Sequence, residues 1–222
     1  MTSDERSAAR RDAMVRSQIE ARGVTHPGVL AAMRAVPREL FVPAHLAETA
    51  YEDRALPIGS DQTISQPYMV AVMTQALDLT SASRVLEVGT GSGYQAAVLS
   101  QLARQVTTIE RRPELADEAR ARLAALGCDN VTVIVGDGTD GYAAGAPYDA
   151  ILVTAGAPQV PEPLTAQLAD GGRLVIPVGT ARDQDLITIV RRGDRLTQTI
   201  GERCVFVPLV GRFGWTRDQR LS

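Results

Sequence analysis

The sequence predicts an α/β protein built on a doubly wound, mostly parallel sheet, with a helical cap at its N-terminus and antiparallel strands at its C-terminus. Three observations carry this. After Ser83, short aliphatic runs such as RVLEVG, QVTTIE and YDAILVTAG alternate with segments of helical periodicity. The runs are nearly continuous in apolar residues, as strands covered on both faces must be. Aliphatic residues and Ala supply most of a 45% hydrophobic fraction while aromatics are 4%, which suits a layered protein with an aliphatic sheet.

Along the chain, residues 9–22 place Met14, Val15, Gln18 and Ile19 at helical spacing and stop at Gly23. A second helix is predicted from Pro27 to Val36, with Val29, Leu30 and Met33 on one face. The stretch YEDRALPIGSDQTISQPY has loop chemistry throughout, yet Leu56, Ile58 and Ile64 should pack down. MVAVMTQAL, opened by Pro67, reads as helix again. The alternation then runs strand RVLEVG, helix YQAAVLSQLA, strand QVTTIE and helix PELADEARARLAAL, closed by Gly127. Strands VTVIVGD and YDAILVTAG, helix PEPLTAQLA and strand RLVIPVG follow. The tail differs: LITIVRR, LTQTIGE and RCVFVPLV read as strands without intervening helices, an antiparallel extension at one sheet edge. One domain spanning 1–222 is expected, divided into residues 1–82 (cap and loop), 83–180 (α/β core) and 181–222 (strand extension).

Charge and composition narrow the function. A net charge of -3 and a pI near 5.5 offer no basic field for a nucleic acid. Cys128 and Cys204 form no C-x-x-C, and His26 and His45 have no ligand cluster around them, so neither disulfide nor metal is expected. The charged N-terminus lacks the apolar core of a signal peptide, and no apolar run reaches membrane-spanning length. A soluble, cytoplasmic protein is expected, acting as a monomer.

The strongest chemical signal is LEVGTGSGYQAA, which leaves a strand, sets Gly89, Gly91 and Gly93 in alternation and opens a helix. A dinucleotide fingerprint would require glycine where Tyr94 stands. The G-x-G-x-G spacing, with Glu87 in the preceding strand, instead resembles the first motif of class I methyltransferases, whose fold is Rossmann-like. Glu110 stands 21 positions beyond Gly89 at the end of the next strand, where a carboxylate can accept both hydroxyls of a ribose. Asp137 closes the third strand within Gly136-Asp137-Gly138, where class I methyltransferases commonly contact the adenine amino group. Either acid alone fits a solvated strand end; two at consecutive C-terminal strand ends indicate an adenosyl cofactor.

Further segments narrow the substrate. QIEARGV, VLAAMRAVPRELFVP, AYEDRALPIG, QTISQPYMVAVMTQAL, GDGTDGYAAGAPYDAILVTAGAP and the late FVPLVG resemble the protein-L-isoaspartate O-methyltransferase family from about Met14 to Gly211. TISQP is far more diagnostic than the glycine motif. Ser60-Asp61 departs from the family's glycine-rich turn and adds a charge beside the site.

The resemblance implies S-adenosyl-L-methionine as cofactor, leaving as S-adenosyl-L-homocysteine, and L-isoaspartyl-containing proteins and peptides as substrates. It implies a cofactor site from Gln62, Thr63, Ile64, Glu87, Gly89, Thr90, Gly91, Ser92, Gly93, Glu110, Asp137 and Gly138. Ser65 matches the active-site serine, with Ile64, Thr154, Ala155 and Val210 on the substrate side. From residue chemistry alone, a serine just before Pro67 also fits a helix N-cap, and a packing role suits Thr154 and Val210 equally well. A nucleic-acid methyltransferase is a poor match, since VTAGAP stands where an amino-directed enzyme often carries N-P-P-Y. A relative dedicated to aspartate in one ribosomal peptide would share nearly all these motifs.

Overall fold

The computed structural model describes residues 2–216. The chain opens with α1 (Ser3–Met14), earlier than apolar periodicity predicts. The reason is a reciprocal cap: the Thr2 hydroxyl accepts from the Glu5 N–H at 3.2 Å, and the Glu5 carboxylate accepts from the Thr2 N–H at 2.7 Å. The helix widens through a π turn (Val15–Ile19) and tightens through a 3₁₀ turn (Glu20–Arg22), then stops at Gly23, φ 93°. α2 (Pro27–Ala35) follows, with the His26 ring accepting from the Val29 N–H.

The segment read as loop contains a hairpin, β1 (Leu56–Gly59) and β2 (Gln62–Ile64), which sequence reasoning missed. Ser60 and Asp61 turn it with φ 51° and 54°. Leu56 and Ile64 are buried, as the apolar pattern required.

After α3 (Pro67–Ala76) the alternation runs β3 (Arg84–Val88), α4 (Tyr94–Ser100), β4 (Gln105–Glu110), α5 (Pro113–Ala125), β5 (Val131–Val135), β6 (Tyr148–Val153), α6 (Glu162–Ala166) and β7 (Leu168–Gly179). β8 (Gln184–Arg192) and β9 (Arg195–Cys204) complete a 7-stranded sheet of order β5-β4-β3-β6-β7-β8-β9. β5 through β7 are parallel; β8 and β9 are antiparallel additions. Side-chain alternation splits the core. Val85, Val106, Leu152 and Val175 pack under the N-terminal cap and α3–α4, while Leu86, Val88, Ile109 and Ile151 pack with Leu164 of α6.

RCVFVPLV does not form a last strand. After Cys204 the chain leaves the sheet and crosses over the ends of the parallel strands. There Gly156 donates to the Val207 carbonyl and accepts from the Leu209 N–H, both at 2.8 Å. The Trp215 indole also donates to the Gly156 carbonyl at 2.8 Å. β3 hands on to β4 on one side and pairs with β6 on the other, so the strand order reverses beneath this strap, where open α/β sheets bind ligands.

Candidate active site

A pocket of about 350 Å³ opens at that reversal, within the size range of small-molecule sites. The glycine segment forms its floor. Gly89, φ 97°, lies so close to the Thr154 hydroxyl that a Cβ would collide with it, and the hydroxyl donates to the Gly89 carbonyl at 2.6 Å. Glu110, at the end of β4, is buried at the wall and accepts from the Gly91 N–H at 2.9 Å and the Arg112 N–H at 3.0 Å. Each carboxylate oxygen keeps capacity for another donor. Gly138 completes the wall where a Cβ would strike Val88.

Of the residues named from sequence, Gln62, Thr63, Gly89, Gly91, Glu110, Gly138, Thr154, Ala155 and Val210 line this pocket. Ser65 lies in a smaller one of about 120 Å³, with Gln66, Met69 and Arg203 to Val207. Thr63, Thr154 and Val207 line both, so the two cavities meet across these three residues. Ile64, Thr90 and Ser92 border a third, narrow void shared with Thr63, Ser65, Gly91 and Thr154.

Three named residues stand off the pocket walls. Gly93, φ 90°, packs against Ala119 and Leu123 of α5. Asp137 ties the strap down: one oxygen accepts from the Thr139 N–H and hydroxyl, and the other from the Arg212 N–H at 2.7 Å. Glu87 is wholly buried in β3, neither oxygen finding a hydrogen-bond partner among the described residues. Burial pushes its carboxyl up to about 8, and the charge of Glu110 adds to the rise.

Ser65 does not cap α3. Gln66 holds the N-cap position and no side chain caps the helix. The Ser65 hydroxyl has no hydrogen-bond partner among the described residues, while its carbonyl is held by the Arg38 guanidinium at 2.7 Å. Arg38 is fully buried, donates also to the Ala50 carbonyl at 2.7 Å and lies 4.8 Å over the Tyr94 ring. Beside Ser65, burial and then nearby carboxylates push the Cys204 thiol up to about 11, so it remains a neutral thiol.

Sequence reasoning missed Arg38, Arg111, Arg112 and Val207 to Leu209. Arg38 sits in VPRELFVP, where a lone arginine among prolines gives no sign of burial. Arg111 and Arg112 directly follow the predicted ribose-binding acid, a position from which they could have been inferred.

Residues 9–214 match the model of the protein-L-isoaspartate(D-aspartate) O-methyltransferase family. A curated protein-L-isoaspartate O-methyltransferase of Methanoculleus marisnigri is 58% identical over 206 residues, covering 92% of this chain and 93% of that protein. The chain belongs to this family. A second member, from Methanoregula boonei, is 56% identical over 202 residues, 91% of this chain and 93% of its own. Among solved structures, a protein-L-isoaspartate O-methyltransferase at 30% identity superposes with TM-score 0.83, covering 92% of this chain and 67% of that one. A Plasmodium falciparum structure in complex with S-adenosyl-L-homocysteine shares the fold, at TM-score 0.78 and 24% identity over 90% of this chain and 98% of that one. The chain is thus a protein carboxyl methyltransferase of the isoaspartyl class, as the sequence resemblance implies.

Proposed function

We propose that this enzyme transfers the methyl group of S-adenosyl-L-methionine to the α-carboxylate of L-isoaspartyl residues in damaged proteins and peptides, the esterification that opens repair through a succinimide. The observation that carries this is the junction of two pockets at Thr63, Thr154 and Val207, one sized for a nucleoside and walled by Glu110, the other holding Ser65. The cofactor fits the larger: its glycine floor tolerates no Cβ at Gly89, and a buried carboxylate with spare acceptor capacity stands at the wall. Glu110 would accept the ribose hydroxyls, Gly89, Gly91 and Gly138 would let backbone approach, and Gln62 and Thr63 would close the near side with Ile64 behind them. Thr90, Ser92 and Gly93 shape the turn behind. Asp137 would receive the adenine amino group on the acceptor capacity left after Thr139 and Arg212. Bound there, S-adenosyl-L-methionine supplies an electrophilic methyl on a sulfonium.

The chain's own part is positioning. A substrate carboxylate, with a reference pKa of about 4, is already ionised at neutral pH and needs no general base. Ser65 donates to one carboxylate oxygen and aims the other, its backbone fixed by Arg38. A neutral hydroxyl suits this better than a cation, which would overstabilise the ground-state anion. Ile64 and Thr154 would bound the acceptor beside Ser65, and Ala155 and Val210 would meet it from the cofactor side of the junction. We read residues 1–222 as one domain, working as a cytoplasmic monomer without nucleic acid, in keeping with a net charge of -3. No helix among the described residues is long and apolar enough to cross a membrane.

Ser65→Ala tests the assignment. A hydrogen bond to a charged group contributes about 1.5–3 kcal/mol, so turnover is expected to fall about 10- to 100-fold. Cofactor Kd, measured by calorimetry, should stay within about twofold. Loss of cofactor binding together with folding would assign Ser65 a structural role instead.

A further inference from the structure

The sheet ends at β9, whose outer edge pairs with no other strand among the described residues. Every residue from Arg195 to Arg203 is exposed, and exposed apolar side chains recur at Leu196, Ile200 and Val205. Such an edge is usually blunted by proline, charge, bulges or covering elements; here Arg195, Glu202 and Arg203 stand at the strand's ends and the register shift lies beyond Ile200, so Leu196–Ile200 carries neither proline, charge nor bulge. Gly193 and Asp194 make a two-residue turn, so Arg192 and Arg195 close it as a hydrogen-bonded pair. Pairs alternate along an antiparallel ladder. Leu196, Gln198 and Ile200, opposite Arg191, Ile189 and Ile187, therefore point their amides and carbonyls away from β8. The edge also leads somewhere. β9 rises towards the C-terminal ends of the parallel strands, and Arg203, Cys204 and Val205 line the same pocket as Ser65.

We propose that β9 is the docking strand for the polypeptide substrate: an extended segment flanking the methyl-accepting residue adds to its free edge as an eighth strand. The acceptor carboxylate then enters the Ser65 pocket at the strand's upper end. This rests on the isoaspartyl reading above and specifies how the substrate is held. Main-chain pairing reads no particular side chain, which suits an acceptor defined by a fault in the backbone. Leu196 and Ile200 offer apolar contact to alternate side chains of the added strand, and the flank must be locally unfolded to lie there. A second copy of the chain pairing edge to edge is the competing occupant.

The experiment is an N-methyl scan of an isoaspartyl peptide, one backbone amide at a time on each flank, with the intact enzyme. Strand addition predicts period two: on one flank, N-methylation at alternate positions raises KM about tenfold or more, while intervening positions stay within about twofold. Ile200→Pro removes one outward donor and is expected to raise KM likewise. If the unmodified peptide is not methylated, the isoaspartyl reading falls and the docking proposal with it. If it is methylated but KM shows no alternation, the docking proposal alone is overturned. A two-chain mass in sedimentation that Ile200→Pro reduces to one chain assigns the edge to self-association and overturns it as well.

Discussion

Glu87 places both carboxyl oxygens in the sheet interior without a donor for either among the described residues. Its carboxyl is pushed up to about 8, chiefly by burial. An acid whose folded pKa exceeds its unfolded value takes up a proton on folding between the two, so stability falls as pH rises through that window. Glu87→Gln keeps the shape and removes the titration. Without cofactor, its stability gain over the parent is expected to widen from pH 5 to pH 8, by up to about 1.4 kcal/mol per pH unit. Urea unfolding at several pH values measures this, and a gap independent of pH would show that Glu87 is ionised in the folded state. At this scale the sequence was informative about chemistry and less so about direction. The acid before the glycine motif was readable, but strand alternation turns it into the core with Val85, not towards the pocket. Ser65 shows the reverse: proximity to Pro67 suggested a cap, and the structure leaves its hydroxyl unbonded because Gln66 takes the cap position.

The β1–β2 hairpin shows why one element escaped prediction. Its turn places Ser60 and Asp61 at φ 51° and 54°, a conformation normally signalled by Asn-Gly or Asp-Gly. Ser-Asp gives no such signal, and Pro57 inside the first strand argues against a strand at all. The backbone conformation is nonetheless kept, and it carries Asp61, Gln62 and Thr63 to the pocket edge. Left-handed backbone at residues other than glycine is unfavourable by about 1–2 kcal/mol each, less for aspartate. The double substitution Ser60→Asn, Asp61→Gly is expected to stabilise the fold by about 1 kcal/mol after glycine's greater unfolded-state entropy is counted. That corresponds to a Tm rise of about 2–4 °C for a chain of this size, and scanning calorimetry that finds a lowered Tm would contradict it. The early start of α1 escaped for a related reason: a capping box followed by charged residues has no apolar stripe to announce it.

At the scale of the whole molecule, the mostly parallel sheet was legible from aliphatic strands alternating with helical segments, whereas the order β5-β4-β3-β6-β7 came only with the structure. The absence of helices after Gly179 likewise announced the antiparallel edge. The path of Val205–Val210 was not legible, since a short apolar run reads the same in a sheet or across its end. That strap matters: Val207 to Val210 roof the larger pocket, and Val205 to Val207 border the smaller. The architecture therefore brings a cofactor-sized cavity and a serine-bearing cavity together beneath one crossing segment. The account's central claim is that this junction serves isoaspartyl carboxylates. The most direct test measures methyl transfer from labelled S-adenosyl-L-methionine to two peptides identical except for an L-isoaspartyl or L-aspartyl linkage. The account predicts base-labile methyl ester on the isoaspartyl peptide alone; equal methylation of both, or of neither, would contradict it.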